Sequence, residues 1–210
     1  MATLLVVNSS PRSNSVSRRL TRQAVEDWKR GNPGGQVIER DLAADSLPFL
    51  DEVWISANMT PAAQRTPEQK QALALSDKLI DELLAAEVIV LGVPMHNFSI
   101  PASLKAWIDQ VTRAGRTFQY GDTGPKGLLP AGKKVLLMVS RGGSYAGSPA
   151  DFQVPYLRHM LAFIGLRDVT VVEADRQAFG AEIAQQSVDT AMAKLAAMAA
   201  DRTSHLQPTA

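Results

Sequence analysis

Three short stretches of this 210-residue chain concentrate side chains that can do chemistry. The first, Ser9-Ser10-Pro11-Arg12-Ser13-Asn14-Ser15-Val16-Ser17, puts five hydroxyls into nine residues. It opens a helical pattern with Val16, Leu20, Ala24 and Trp28 at four-residue spacing. A helix start offers free N–H groups and the positive end of a dipole, which attract an anion. One serine would cap the helix; five, beside those N–H groups, suit a terminal phosphate. The second, Pro94-Met95-His96-Asn97-Phe98-Ser99-Ile100-Pro101, holds an imidazole, an amide, an aromatic ring and a thioether between two prolines. A stiff loop with such varied side chains reads as a binding surface. The third is Ser140-Arg141-Gly142-Gly143. Paired glycines let backbone N–H groups approach a flat ligand closely.

Other chemistries drop out. The chain has no cysteine, which removes disulfides, thiolate nucleophiles and Cys-ligated metals. Its three histidines form no metal-ligand cluster, and no G-x-S-x-G elbow is present. The dinucleotide fingerprint G-x-G-x-x-G is also absent. Gly127 to Lys134 comes near a phosphate-binding P-loop, but it lacks the Ser or Thr for Mg²⁺ and precedes a strand when it should follow one.

The elements that must position these stretches are legible from apolar runs. Thr3–Asn8, Gln36–Leu42, Val88–Val93, Lys134–Val139 and Val169–Val172 read as strands, several hydrophobic throughout and so buried on both faces. Helical patterns alternate with them. Thr66-Pro67-Glu68-Gln69 is a capping box with Pro at the first helical position. Ser99 is expected to cap the next helix, with Pro101 in its first turn and Leu104, Trp107, Ile108 and Val111 on its buried stripe. Another helix is expected to carry Phe152, Tyr156, His159, Leu161 and Phe163. Residues 43–66 and the Gly/Pro-rich stretch to Gly132 read as long connections. The alternation predicts an α/β fold, a doubly wound five-stranded parallel sheet of order 2-1-3-4-5 with helices on both faces. The ligand crevice then lies where strands one and three diverge, and the three stretches fall on the loops lining it.

Composition bounds the function further. The formal net charge is +1, so nothing electrostatic points to nucleic acid or a membrane surface. No apolar run reaches the roughly 20 residues a membrane span needs, and no secretory signal is visible. The expectation is one cytoplasmic domain over residues 1–200, with a loose tail at 201–210. A phosphate at one end of the crevice and a backbone-contacted flat ring at the other describe flavin mononucleotide, bound noncovalently.

Taken together, Ser9-Ser10-Pro11-Arg12 with Ser15-Val16-Ser17, Pro94 to Phe98, Arg113-Ala114-Gly115-x-Thr117-Phe118, Gly124-Pro125-x-Gly127 and Ser140 to Gly143 resemble the FMN-dependent NADH-azoreductases, the bacterial azo-dye and quinone reductases of the flavodoxin-like superfamily. The resemblance covers nearly the whole chain. It implies one FMN per subunit, with Ser10, Ser15, Val16 and Ser17 at the phosphate. Pro94, Met95, His96, Asn97 and Phe98 would run along the isoalloxazine edge, and Ser140, Arg141, Gly142 and Gly143 along its pyrimidine side. His96, Asn97, Tyr120, Phe152 and Phe163 would meet the nicotinamide or the acceptor. No protein group is required as a catalytic nucleophile and no metal is implied. The implied activity is two-electron transfer from NADH or NADPH to quinones and azo compounds, by a ping-pong route, in a homodimer. Two alternatives share the fold. One is a flavodoxin-type electron carrier, for which acidic docking surfaces are usual; the other is an FMN reductase that releases reduced flavin.

Overall fold

The computed structural model describes residues 1–204. Five parallel strands form the main sheet: β1 (Thr3–Asn8), β2 (Gln36–Asp41), β3 (Val88–Pro94), β6 (Lys134–Ser140) and β7 (Asp168–Ala174). They lie in the order β2-β1-β3-β6-β7, which is the expected 2-1-3-4-5. A separate antiparallel hairpin, β4 (Phe118–Gly121) with β5 (Gly124–Gly127), sits between β3 and β6 in the chain.

Alternation along the central strands feeds two cores, because successive side chains point to opposite faces. Leu5 and Val7 of β1, Leu91 and Val93 of β3, and Leu137 and Val139 of β6 face one side. There they meet Leu79 and Leu83 of α3 (Pro67–Ala85), Leu104 and Trp107 of α4 (Ala102–Val111), and Leu157 and Leu161 of α5 (Val154–Phe163). Leu4, Val6, Val90 and Met138 face the other. They pack on Leu20, Ala24 and Trp28 of α1 (Val16–Gly31) and on Val188, Ala191 and Leu195 of α6 (Ala181–Ser204). Each buried Val, Leu or Met among these contributes about 1.5–3 kcal/mol by leaving water. No helix among the described residues is long and apolar enough to cross a membrane.

Several expectations need correction. Ser99 does not cap α4: its N–H donates to the carbonyl of His96 at 3.0 Å, and Pro101 occupies the cap position, one residue before the helix. Phe152 lies just ahead of α5 rather than on it. The connection at 43–66 contains α2 (Glu52–Met59), capped by Asp51, whose carboxylate accepts from Trp54 N–H at 2.8 Å. α2 buries only Trp54 and Ala57, so no wide apolar stripe marks it in sequence. The Gly/Pro-rich stretch hides the β4–β5 hairpin, where β5 runs hard against the end of α5: a Cβ on Gly127 would stand 2.3 Å from the Gly165 nitrogen. α6 continues to Ser204, into the segment expected to be a tail, and residues 205–210 lie outside the described residues.

Candidate functional site

The loops after β1, β3 and β6 gather at the carboxyl edge of the sheet, held by its register. Asn8 pairs with Gly92, Gly92 with Met138, and Pro94 with Ser140. Loop-to-loop bonds extend the ladder. Ser9 N–H and Oγ both donate to the Gly92 carbonyl, at 3.2 and 2.7 Å, and Met95 N–H donates to the Ser140 carbonyl at 2.7 Å.

The β1 loop ends in a built helix start. Ser15 is the N-cap of α1, and its Oγ accepts from Arg18 N–H at 3.3 Å and lies 3.2 Å from Ser17 Oγ. Val16 and Ser17 are the first helical residues, whose N–H groups have no intrahelical acceptor. Ser10, Ser15 and Ser17 are all buried, Ser17 completely. Arg18, unremarked in the sequence, holds this loop in shape. Its Nε and Nη2 donate to the Ser10 carbonyl at 3.2 and 2.7 Å, and Nη1 and Nη2 grip Asp41 of β2 at 2.8 and 2.6 Å. The Arg18 hydrogen bonds pull the Asp41 carboxyl below its ordinary value, with burial opposing.

The β3 loop is a tight turn. His96 and Ser99 exchange backbone hydrogen bonds at 2.9 and 3.0 Å around Asn97 and Phe98, both at positive φ (48° and 68°). This is the φ pattern of a type I′ turn, which favours Asn and Gly. Asn97 suits it; Phe98 does not, and a bulky residue held there costs on the order of 1–3 kcal/mol. Phe98 stays half exposed, edge-on to Tyr145 with ring centroids 5.5 Å apart. His96, Asn97, Ser99, Lys105 and Tyr156 line an open cleft of about 490 Å³ beside the turn. Burial raises the Tyr156 phenol above its usual range.

The β6 loop divides its labour by residue. Arg141 turns inward, its side chain 1% exposed, with Nη1 2.9 Å from Asp151 and Nε 2.8 Å from Glu173. Its N–H donates to the Ala174 carbonyl and its own carbonyl accepts from Gln177, so its backbone is also spent within the protein. Burial pushes the Glu173 carboxyl up, partly offset by Arg141. Gly142 and Gly143 N–H groups find no acceptor among the described residues. A Cβ on Gly142 would meet only Ala178, at an ordinary 3.6 Å, whereas one on Gly143 would strike the Tyr145 ring at 2.7 Å.

Of the aromatics read as substrate contacts, only Phe152 is bonded to these loops, through its N–H to the Phe98 carbonyl at 3.2 Å. Phe163 packs on Phe118 at 4.6 Å and Tyr120 stands edge-on to Phe118 at 5.5 Å, a cluster on the hairpin side. Phe118 is buried. The stretch Arg113 to Phe118 is architectural. Arg113 is 1% exposed and bonds Ser76 and Asp77 of α3 at 3.2 and 2.7 Å, while Thr117 Oγ1 donates to the Val111 carbonyl at 2.7 Å.

A helix start with open N–H groups, a strained turn and a glycine pair with unpartnered N–H groups thus stand on neighbouring loops at the carboxyl edge of a doubly wound α/β sheet. The flavodoxin-like fold family matches residues 2–199. An FMN-dependent NADH:quinone oxidoreductase of Pseudomonas putida is 46% identical over 200 residues, covering 95% of this chain and all of that one. Among solved structures, an azoreductase from Bacillus anthracis superposes with TM-score 0.86 at 30% identity over 95% of this chain and 99% of its own. An FMN-dependent NADH-azoreductase from the same species, in complex with FMN, gives 0.83 at 26% identity over 95% of this chain and the whole of its own. The chain belongs to the flavodoxin-like family of FMN-dependent NADH:quinone oxidoreductases and azoreductases.

Proposed function

We propose that this protein is an FMN-dependent oxidoreductase that carries electrons from NADH or NADPH to quinones and reductively cleaves aromatic azo compounds. The observation that carries the reading is the pairing of a capped helix start at Ser15 with the free N–H groups of Gly142 and Gly143 at one sheet edge. The phosphate would rest on Ser10 and on the N–H groups of Val16 and Ser17. The flavin ring would lie between the 94–98 turn and the 142–143 backbone. Arg141 serves that loop from within. FMN, when bound, would supply two-electron hydride chemistry between nicotinamide and acceptor, in a ping-pong order. Gly142 and Gly143 N–H groups would stabilise negative charge on the pyrimidine side of the ring. His96 and Asn97 face the cleft where an acceptor would pass.

The protein acts as a homodimer in this reading. Phe49, Val53, Ile55 and Met59 around α2, and Tyr120 on the hairpin, are between 48% and 79% exposed, and large apolar groups clustered at a surface usually find a partner. Sedimentation at working concentration tests this, and a monomer contradicts it. The cofactor assignment is tested by purification: the protein is yellow, and acid precipitation releases one FMN per chain. A colourless protein that takes up no added FMN overturns the assignment.

A further inference from the structure

Ahead of α5, three consecutive residues reach three different places around the crevice. Asp151 Oδ2 accepts from Arg141 Nη1 at 2.9 Å, behind the Gly142-Gly143 loop. Phe152 N–H donates to the carbonyl of Phe98, the residue held at φ 68° in the turn. Gln153 Nε2 donates to the Val93 carbonyl at 3.0 Å, just before Pro94. Asp151 Oδ1 also accepts from the N–H groups of Gln153 and Val154, both at 3.1 Å, which fixes the triplet to the start of α5.

These groups are poorly chosen for stability alone. Gln153 is fully buried and spends its Nε2 on the Val93 carbonyl, while its Oε1 has no hydrogen-bond partner among the described residues, a cost that stability alone does not explain. Arg141 and Asp151 are a buried ion pair, and such pairs rarely outdo well-packed hydrophobic residues. What the polar groups supply is direction. Each joins one named atom of a crevice loop to the same short segment.

We propose that Asp151-Phe152-Gln153 is a brace that sets the spacing of the 94–98 turn and the 141–143 loop, and so the grip on the flavin ring. The inference rests on the FMN reading above. Asp151 and Gln153 are positioning residues in it. Among the described residues no bond joins the brace to the Ser10–Ser17 loop, so it acts on the ring end and leaves the phosphate end alone.

The test compares FMN with riboflavin, which lacks the phosphate, by fluorescence titration of the apoprotein. Asp151→Asn keeps an oxygen for the α5 cap and removes the charge facing Arg141. Gln153→Met keeps the volume and removes the bond to Val93. Leu161→Ala, a core truncation on α5, is the control for general loosening. All titrations are run well below the lowest melting temperature. Each brace variant is expected to weaken FMN and riboflavin by the same factor, about tenfold, the loss of one good hydrogen bond. Leu161→Ala is expected to lower the melting temperature and change both affinities less than twofold. Brace variants that bind both ligands like the wild type overturn the inference, as does a Leu161→Ala effect of equal size. A variant too unstable to titrate leaves the other brace variant to decide. A wild-type chain that binds no FMN overturns the functional reading and this inference with it.

Discussion

Replacing Gly142 by alanine separates what the fold needs from what a ligand needs. The added methyl meets only the Cβ of Ala178, at 3.6 Å, and Gly142 has no left-handed φ to lose. The apoprotein should therefore keep its stability, or gain the roughly 0.4–1 kcal/mol that Gly→Ala yields at a compatible site by restricting the unfolded chain. The ligand side differs. If the flavin ring lies against this backbone, the methyl pushes it off the N–H groups of residues 142 and 143. Losing one hydrogen bond to a neutral carbonyl of the oxidised ring costs about 0.5–1.5 kcal/mol. At about 1.4 kcal/mol per factor of ten, the FMN dissociation constant rises roughly 2- to 12-fold. Thermal melting of the apoprotein and fluorescence titration with FMN read the two effects separately. Unchanged affinity in a stable Gly142→Ala protein would refute the placement of the ring. Gly143→Ala is the less clean probe, because its methyl must first displace Tyr145.

Ser15→Asp preserves a good N-cap but sets a carboxylate where the phosphate should rest, so FMN binding should weaken at least about tenfold while riboflavin binding changes little; equal losses would move the phosphate elsewhere. Asp41 has its carboxyl held below the ordinary 3.8 by Arg18, so its contribution to stability is present above that value and is lost as pH falls through the lowered one. Asp41→Asn should flatten that acid limb of the melting curve, and an unaltered limb would contradict the pairing. Gly127→Ala should destabilise the fold by about 1–3 kcal/mol or more, since the methyl meets the backbone of Ile164 and Gly165; a melting temperature like the wild type's would show that β5 can shift. A quinone should consume one NADH per molecule and complete azo cleavage two, because the latter takes four electrons; equal consumption would refute the two-electron cycle.

The parallel sheet was open to reading because β1, β3 and β6 are buried on both faces, and such strands are apolar throughout. The same holds for the α3 capping box, where Thr66 and Gln69 exchange bonds as their spacing implies. What escaped was decided by tertiary partners. Val53, Trp54 and Ile55 gave no helical stripe because α2 buries only Trp54 and Ala57. The hairpin was masked by its glycines, of which Gly127 serves close packing against the end of α5 and Gly124 takes a positive φ. Ser99 looked like a cap, but the turn claimed its backbone first. The three crevice loops stood out through composition, yet the residues that hold them did not. Arg18, Asp151 and Gln153 act across 8 to 60 positions of sequence, and a lone charged or amide side chain announces no such reach.

The bound flavin is expected to be reduced by nucleotide and reoxidised by acceptor. Anaerobic mixing of the FMN-loaded protein with one equivalent of NADH, followed by a quinone, tests it directly. Complete bleaching of the flavin absorbance by NADH, then its full return on adding one equivalent of quinone, is the predicted result. A bound flavin that NADH leaves oxidised, or a reduced flavin that quinone does not reoxidise, contradicts it.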